Sequence, residues 1–343
     1  MMNILLIKLG AMGDVLRTTP LLTAFKKKYP DSKICWLVHA PCRGVLEKNP
    51  LIDSLMDYSQ ESLHRLKTDR FDLSVNLDKE PEAIDAIMAV PSKNKMGFGR
   101  SPEGKLCALN ALSDYAYRLG IDDDLKFRKN QKSYQEISFE QVGLEFNHEE
   151  YIFSVDPAGA VRAGNYLRSL GVNLDNKDRL VIGINTGSGG RFAGKRLPVS
   201  TTLELIEKFS TRMKALIFIL GGQDEVERNR AISRGSKYPV VNTGSHPIHD
   251  FAAIVRECDL VISGDTTAMH IAIGMKVPVV AHFASTCASE IELYGRGVKV
   301  VSGISCAPCY KKVCPIDEQC MSDMSAEEIF LASKSLLESA LKC

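Results

Sequence analysis

The second half of the chain alternates short apolar runs with helical patterns, and this alternation limits the fold more than any other feature. Runs such as residues 215–220 and 260–263 are short and apolar enough for strands that are buried on both faces. Helical patterns separate these runs, which is the arrangement that connects parallel strands. The pattern therefore predicts a parallel sheet built with right-handed crossovers.

The first half of the chain repeats this organisation less regularly. Residues 3–9 predict a first strand, residues 14–28 predict a helix, and residues 34–38 predict the next strand. Further along, residues 106–119 predict a longer helix. The first half is therefore also expected to form strands that alternate with helices.

Two such units in series fit a chain of 343 residues, because one domain typically takes about 150 residues. The predicted fold class is α/β, with two Rossmann-like domains whose parallel sheets face a cleft. The first domain is expected over residues 1–155 and the second over residues 156–343. Residues 120–150 are polar and are expected to be irregular. The last helix, about 325–343, is assigned to the second domain, and its packing back on the first domain stays open.

Composition and charge exclude several classes of protein. Hydrophobic residues make up 45% of the chain and charged residues 25%, which is typical of a globular protein rather than a disordered chain. With 43 Lys and Arg against 42 Asp and Glu, the net charge of +1 indicates no nucleic-acid partner. The opening apolar run, residues 4–7, is stopped by Lys8 and is too short for a signal sequence. We therefore expect a cytoplasmic protein.

A glycine-containing turn, residues 10–13, connects the first predicted strand to the first predicted helix. Asp14 follows in the first helical turn, where a carboxylate either stabilises the helix end or serves chemistry at the end of the strand. The turn lacks the third glycine of a dinucleotide fingerprint, which argues against an NAD-dependent enzyme. It also lacks the Gly-Lys-Ser or Gly-Lys-Thr sequence of a P-loop.

Three loops in the second half contain residue types that suit phosphate and ribose, and each loop directly follows a predicted strand. Hydroxyl side chains and bare amides suit phosphate oxygens, a nearby lysine can reach a diphosphate, and a carboxylate can bind ribose hydroxyls. Each loop also has an ordinary interpretation as a solvated loop, a helix cap or a structural histidine. The candidate residues are Thr186, Gly187, Ser188, Lys195, Glu225, Asp265, Thr266, Thr267 and His270.

Four of the ten cysteines lie close together, in the pattern C-x2-C-x4-C-x5-C. In a cytosolic protein such thiols are reduced or bind a metal rather than form disulfides. Four thiolates can hold a tetrahedral zinc ion, but this spacing does not form two C-x2-C knuckles. We expect reduced structural thiols and no metal, with a zinc site as the alternative. The residues concerned are Cys306, Cys309, Cys314 and Cys320.

Taken in order along the chain, these motifs resemble glycosyltransferase family 9, the bacterial ADP-heptose:lipopolysaccharide heptosyltransferases. The resemblance spans almost the whole chain. The matching residues are Ile4-Leu5-Leu6-Ile7-Lys8, Gly13-Asp14-Val15-Leu16, Thr19-Pro20, Phe71-Asp72-Leu73, Met96-Gly97-Phe98, Gly187 to Gly190 with Lys195, Gly221-Gly222 with Glu225, and Asp265-Thr266-Thr267 with His270 and Ala272.

The chain departs from the family pattern at two positions. Thr267 stands where the family often has glycine, although a threonine amide and hydroxyl can still bind phosphate. Leu197 stands where the family usually has an aromatic residue. The second departure leaves two candidates for the contact with the diphosphate, Lys195 and Arg196.

The resemblance implies a GT-B fold, with the acceptor in the first domain and a nucleotide-sugar donor in the second. It implies an inverting glycosyltransferase that moves a heptose from ADP-heptose to an anionic acceptor in the lipopolysaccharide inner core. Such an enzyme would work in the cytoplasm or at the inner face of the inner membrane, in peripheral contact with that membrane.

The expected mechanism needs neither a metal nor another cofactor. Asp14 would act as the general base, kept ionised by the helix dipole and by Lys8. Lys195 and the amides of Thr266 and Thr267 would stabilise the leaving diphosphate. The pair Asp122-x-Asp124 lies in a polar segment rather than at a strand end, so it is not expected to bind a metal.

The acceptor is expected to bind near the N-terminus, where basic residues are in excess. Residues 1–50 contain eight Lys or Arg and three Asp or Glu. The candidate contacts are Lys8, Gly13 and Arg17, because cations there can bind carboxylate or phosphate. Two other functions stay open: a glycosyltransferase that uses another nucleotide sugar, and a non-catalytic sugar-nucleotide-binding module with a cysteine-ligated metal.

Overall fold

A computed structural model describes residues 1–173, 179–190 and 192–340 and divides the chain into two compact units. Unit 1 consists of Met1–Ser154 with the short segment Ser289–Glu292. Unit 2 consists of Val155–Ala288 and Leu293–Cys343. The division after Ser154 lies one residue from the boundary that the sequence predicts.

Unit 1 is a six-stranded sheet with helices between its strands. Its strands are β1 (Asn3–Ile7), β2 (Lys33–Val38), β3 (Ser54–Asp57), β4 (Phe71–Asn76), β5 (Ser92–Arg100) and β6 (Leu106–Ala108). Its helices are α1 (Met12–Leu16), α2 (Pro20–Lys28), α3 (Gln60–Thr68), α4 (Pro81–Ala89), α5 (Asp114–Arg118) and α6 (Tyr134–Gln141). The strand order is β3-β2-β1-β4-β5-β6. Strand β6 runs antiparallel to β5, and the other neighbours are parallel.

Unit 2 has a second six-stranded sheet, in which all neighbouring strands are parallel. Its strands are β7 (Val181–Asn185), β8 (Leu216–Leu220), β9 (Val240–Asn242), β10 (Leu260–Gly264), β11 (Val279–Phe283) and β12 (Gly297–Val301). Its helices are α7 (Pro157–Ser169), α8 (Val199–Arg212), α9 (Val226–Gly235), α10 (Ile248–Arg256), α11 (Thr267–Gly274), α12 (Gln319–Ser322) and α13 (Ala326–Ala340). The strand order is β12-β11-β10-β7-β8-β9.

Both sheets therefore have the same order, 3-2-1-4-5-6 in each unit's own count. The direction of winding reverses between β1 and β4 in unit 1 and between β7 and β10 in unit 2. Ligands of open α/β sheets bind at the carboxyl ends of the strands on either side of such a reversal. The prediction of two Rossmann-like α/β units is confirmed. The topology indicates that a ligand site in each unit would lie at the carboxyl ends of its central strands.

The predicted helix over residues 14–28 is in fact two helices, α1 and α2. Pro20 is the first residue of α2. A proline inside a continuous helix lacks the N–H for the i−4 hydrogen bond, and its ring clashes with the carbonyl one turn earlier. The chain therefore leaves the helix after Leu16 and starts a new one at Pro20.

The predicted helix over residues 106–119 was wrong. Its first residues form β6, which pairs with β5 after a tight turn in which Ser101 N–H donates to the Lys105 carbonyl at 2.8 Å. Gly104 allows this turn because its φ of +82° is a conformation that other residues rarely adopt. Only the end of the predicted helix is helical, as α5.

Residues 120–150 are less irregular than predicted, because they contain α6. Ser133 caps this helix: its hydroxyl accepts from Glu136 N–H at 3.2 Å, and the Glu136 carboxylate accepts from Ser133 N–H at 2.6 Å. This is a capping box, for which S-x-x-E is the sequence signature. Strands β3 and β12 and helix α3 were also not predicted.

Two predicted elements extend beyond the described residues. The apolar run that precedes the first of the three phosphate-type loops predicts a strand over residues 178–185. Residue 178 is not described, and β7 covers Val181–Asn185. The predicted last helix, about 325–343, corresponds to α13, and residues 341–343 lie outside the described part. Helix α13 packs on unit 2 through Ile329, Phe330 and Leu337, which belong to that unit's hydrophobic core. Among the described residues, none of the helices is both long and apolar enough to span a membrane.

Candidate functional site

A buried ion pair lies at the reversal point of unit 1, directly after β1. The Lys8 ammonium donates to the Asp78 carboxylate, and both side chains are less than 10% exposed. Leu9 N–H donates to the second oxygen of Asp78 at 2.5 Å. Burial by itself would lower the pKa of Lys8, but the Asp78 carboxylate outweighs burial and raises it. Lys8 therefore stays charged at any physiological pH.

Asp14 lies in the first turn of α1, close to this pair. Its Oδ1 is 2.8 Å from Nη2 of Arg17, and its side chain is 25% exposed. The Arg17 guanidinium lies over the Tyr134 ring, with Cζ 4.0 Å from the ring centroid. The Tyr134 hydroxyl in turn hydrogen-bonds to the Thr18 hydroxyl at 2.8 Å. The carboxylate of Asp14 is thus held by a cation that is itself held by an aromatic ring.

These contacts correct the predicted acceptor residues. Lys8 is not placed for direct contact with an acceptor, because its buried ammonium pairs with Asp78. Arg17 lies at the predicted place but is paired with Asp14 rather than standing as a separate cation. Gly13 is buried within α1 and contributes backbone only. Asp78 and Tyr134 were missed, since their partners are 70 and 116 residues away along the chain.

Strand β7 of unit 2 ends in a loop that is tied to the end of β10. The Asn185 amide donates to the Gly187 carbonyl at 3.1 Å and to the Ser263 hydroxyl at 3.1 Å. Thr186 is buried and donates its hydroxyl to Asn229, so its side chain helps to shape the loop. Ser188 is half-buried, and its hydroxyl donates to the Gly189 carbonyl at 3.1 Å.

Glu225 lies against this loop. Its carboxylate accepts from Gly222 N–H at 2.9 Å. A Cβ at position 187 would lie 2.7 Å from the Glu225 carboxyl carbon, so only glycine fits there. The structure therefore brings together the two candidates that the sequence placed after β7 and β8, and it leaves the Glu225 carboxylate at the strand ends.

The third predicted loop, after β10, gathers three charged or titratable side chains. Lys195 Nζ is 3.7 Å from one carboxylate oxygen of Asp265, and His270 Nε2 is 3.7 Å from the other. Thr266 is the N-cap of α11 and Thr267 its first residue, so their amides lie at the positive end of that helix. A cation and a helix N-terminus at one strand end form a suitable environment for a phosphate.

The structure distinguishes Lys195 from Arg196, which the sequence could not. The side chain of Lys195 is 13% exposed and points to Asp265. Arg196 is exposed, and its charge contributes, after burial, to lowering the pKa of Arg228 rather than meeting Asp265. Lys195 is therefore the better placed of the two for a diphosphate.

The four clustered cysteines are thiols and pack beside the Lys195 loop. Cys306 is exposed, Cys309 and Cys314 are half-buried, and Cys320 is buried. A Cβ at Gly194 would lie 3.0 Å from Cys320 Sγ, and Ala193 N–H donates to the Lys311 carbonyl at 3.0 Å. Within the described ranges, no group of three or more His, Cys, Asp or Glu side chains is arranged to hold a metal.

The pair Asp122 and Asp124 also has local structural partners. Asp122 Oδ1 accepts from Leu125 N–H at 2.9 Å, and Asp124 lies 2.6 Å from the Lys129 ammonium. Both residues belong to unit 1 and lie away from a strand end, as the sequence indicates.

Comparisons with known proteins show which sequences and folds this chain resembles. The sequence model of glycosyltransferase family 9 (heptosyltransferase) matches residues 64–319. The chain is 24% identical over 274 residues to lipooligosaccharide heptosyltransferase 2 of Campylobacter jejuni, an alignment that covers 71% of this chain and 86% of that protein.

Solved structures share the fold along the whole chain. A glycosyl transferase family 9 protein from Veillonella parvula superposes with a TM-score of 0.79 at 19% identity and covers 98% of both chains. ADP-heptose lps heptosyltransferase II from E. coli superposes with a TM-score of 0.70 at 16% identity and covers 99% of both chains. These identities are low enough that the likeness concerns the fold, which is the GT-B arrangement of two Rossmann-like domains.

Proposed function

The chain belongs to glycosyltransferase family 9, and on that premise we propose that it transfers a heptose from ADP-heptose to an anionic acceptor of the lipopolysaccharide inner core, with inversion at the anomeric carbon. The observation that carries the proposal is the cluster of Lys195, Asp265 and His270 at the start of α11. The similar E. coli structure is that of an ADP-heptose lps heptosyltransferase, which supports this choice of donor.

The donor binds unit 2 in this proposal. Its diphosphate meets the Lys195 ammonium and the amides of Thr266 and Thr267, while a ribose hydroxyl donates to Glu225. As the bond from the anomeric carbon to the diphosphate oxygen breaks, negative charge grows on the leaving group. Lys195 and the helix N-terminus stabilise that charge without reorganising, which is the usual source of the largest catalytic effect.

The acceptor binds unit 1, and Asp14 is the general base. The acceptor hydroxyl attacks the anomeric carbon from the face opposite the leaving group, and its proton passes to the Asp14 carboxylate. Arg17 holds Oδ1 of that carboxylate at 2.8 Å, which fixes its orientation. A base of this kind is weak, so its contribution comes mainly from position.

The test of the base is Asp14→Asn, which keeps the shape of the side chain and removes its basicity. We expect turnover to fall about 10²–10⁴-fold while ADP affinity stays near the wild-type value. Asp85→Asn is the control, because Asp85 is an exposed carboxylate of unit 1 that pairs with Arg100. Near-normal turnover in Asp14→Asn, together with a large fall in melting temperature, would show that Asp14 only stabilises α1.

The donor is tested by the shift in melting temperature with ADP, UDP and GDP, followed by turnover with ADP-heptose. We expect ADP to give the largest shift among the three. A larger shift with UDP or GDP would move the proposal to a glycosyltransferase that uses another nucleotide sugar. Binding of ADP-heptose without transfer to any lipopolysaccharide core acceptor would count against the proposed acceptor. We further propose that the enzyme works in the cytoplasm at the inner face of the inner membrane, where fractionation of cells should find it.

A further inference from the structure

A histidine that the proposed chemistry has not used lies beside the donor loops. His282 is the fourth residue of β11, and the parallel register places it next to Gly264 at the end of β10. The residue is only 3% exposed. Its position at the carboxyl end of β11 is the same edge of the sheet that holds Asp265 and Thr266.

The imidazole of His282 is neutral, and one of its nitrogens lacks a partner. Burial and the positive charge of Lys195 lower the pKa of His282 to about 4. Nδ1 is buried and has no hydrogen-bond partner among the residues that the structure describes. A buried polar atom without a partner destabilises a protein noticeably, so such an atom in a folded protein calls for an explanation.

The loop that carries Lys195 lies directly over this ring and over Gly264. A Cβ at Gly264 would lie 2.4 Å from the Lys195 carbonyl oxygen and 3.5 Å from His282 Nδ1. The loop is held there by the Ser285 hydroxyl, which donates to the Gly194 carbonyl at 3.3 Å. The backbone of Lys195 and the unpartnered nitrogen thus face the same small space above Gly264.

We propose that His282 is a positioning residue for Lys195: its Nδ1 accepts a hydrogen bond from the Lys195 ammonium while that ammonium binds the donor diphosphate. In the unliganded structure the ammonium lies 3.7 Å from Asp265, which is too long for a hydrogen bond. Asp265 attracts Lys195 but also cancels part of its charge. A neutral acceptor directs the ammonium without that cancellation, and the full positive charge remains for the diphosphate.

The inference rests on the proposed donor site, and the test uses nucleotides alone. Binding of ADP and of AMP is measured by calorimetry on the full chain. His282→Phe keeps the ring and removes Nδ1, and we expect it to weaken ADP binding about tenfold, since a hydrogen bond to a charged group is lost. AMP binding should change less than about twofold, because AMP lacks the second phosphate that Lys195 meets.

A double-mutant cycle separates positioning from general damage to the fold. In a Lys195→Ala background, His282→Phe should have no further effect on ADP affinity, because the ammonium that it positions is absent. Equal losses for ADP and AMP, or losses that simply add to those of Lys195→Ala, would overturn the proposal. In either case His282 would be a packing residue only.

Two amide variants keep the test decisive even where His282→Phe folds poorly. Asn places its side-chain amide near the position of Nδ1, whereas Gln places the same group near Nε2. We expect His282→Asn to retain most of the ADP affinity and His282→Gln to lose it, at similar melting temperatures. Equal affinities in the two variants would contradict the role of Nδ1.

The outcome for wild-type protein separates this inference from the proposed function. If the wild type binds ADP more tightly than AMP through Lys195 and the His282 variants have no effect, only the inference fails. If the wild type prefers another nucleoside diphosphate, the proposed donor fails and the same cycle is measured with that nucleotide and its monophosphate. If no nucleoside diphosphate binds, both fail.

Discussion

At the scale of single residues, lysines at strand ends have different roles that depend on their partners. Lys8 is buried on Asp78 and serves the structure of unit 1, whereas Lys195 points to Asp265 at the proposed donor site. Lys79, the residue after Asp78, donates to the Ala116 carbonyl at 3.0 Å and lies over the Phe98 ring. The sequence alone does not distinguish the roles of these three lysines, because each role depends on partners that the fold brings close.

Lys79 gives a prediction about pH. Burial, and then the charge of Lys126, lower the pKa of Lys79 to about 8, below its value in the unfolded chain. Between these two values the unfolded chain binds more protons than the folded one, so the contribution of Lys79 to the free energy of unfolding rises with pH. Methionine does not titrate, so the Lys79→Met variant lacks this rise in the free energy of unfolding. The stability of the variant relative to wild type should therefore be highest near pH 7 and should decrease as the pH approaches 10.

The measurement is urea denaturation of both proteins at several pH values. Lys93→Met is the control, because Lys93 is 78% exposed and should show a difference from wild type that varies little with pH. A difference for Lys79→Met that is equally constant would mean that Lys79 is not desolvated in the folded state.

Some site residues could be predicted from the sequence and others could not, and the reason is distance along the chain. Glu225, Asp265 and Lys195 were identified because each follows its own strand in a local motif. Asp78 could not be identified, since its partner Lys8 is 70 residues away and nothing local marks the pair. His282 was also missed, because a histidine inside an apolar strand looks like ordinary core until its neighbours are known.

At the scale of elements, local signals decided where the predictions held and where they failed. The strands of unit 2 other than β12 were predicted because they are short, apolar and separated by clear helices. The predicted helix over residues 106–119 failed because apolar spacing alone does not show the turn at Gly104 that returns the chain to β5. Helix α6 was overlooked although its capping box, Ser133 with Glu136, is visible in the sequence.

The capping box of α6 carries a prediction about stability. Ser133→Ala removes the hydroxyl that accepts from Glu136 N–H and should cost about 0.5–2 kcal/mol in the free energy of unfolding. Because Tyr134, the first residue of α6, supports Arg17, turnover should fall slightly as well. Ser59→Ala is the comparison: Ser59 caps α3, a helix that does not carry Tyr134, by accepting from Ser62 N–H at an exposed position. The two variants should lose similar stability, and only Ser133→Ala should lose turnover. Unchanged turnover in Ser133→Ala would show that α6 does not hold Arg17 in place.

At the scale of the whole molecule, both halves use one topology for different purposes. Each sheet reverses its winding at its centre, and each reversal holds a charged group: the Lys8–Asp78 pair in unit 1 and the Lys195 cluster in unit 2. The two Rossmann-like α/β units followed from the strand and helix pattern, whereas the strand order was not predicted. The charged groups at the two reversal points could not be predicted in full, because they depend on which distant side chains the fold brings there.

The whole molecule also carries the prediction that turnover survives EDTA. In the proposed mechanism, Lys195 and the amides at the start of α11 supply the positive charge that a divalent cation supplies in other glycosyl transfers. Loss of turnover that magnesium or manganese restores would contradict this mechanism. Loss that zinc alone restores would instead indicate that the cysteines at positions 306–320 hold a structural metal.

The contact between Cys320 and the turn at Gly194 gives the protein a natural reporter of its own motion. The Cys320 thiol is covered, and burial followed by the nearby thiols raises its pKa to about 11, so it reacts slowly with alkylating reagents. Cys306 in the same segment is exposed and should react first. Alkylation of Cys320 therefore requires an opening that exposes the thiol, which packs against Gly194 and in the core of unit 2. The ratio of the two labelling rates, followed by mass spectrometry with and without nucleotide, would measure how often this region opens in the native protein.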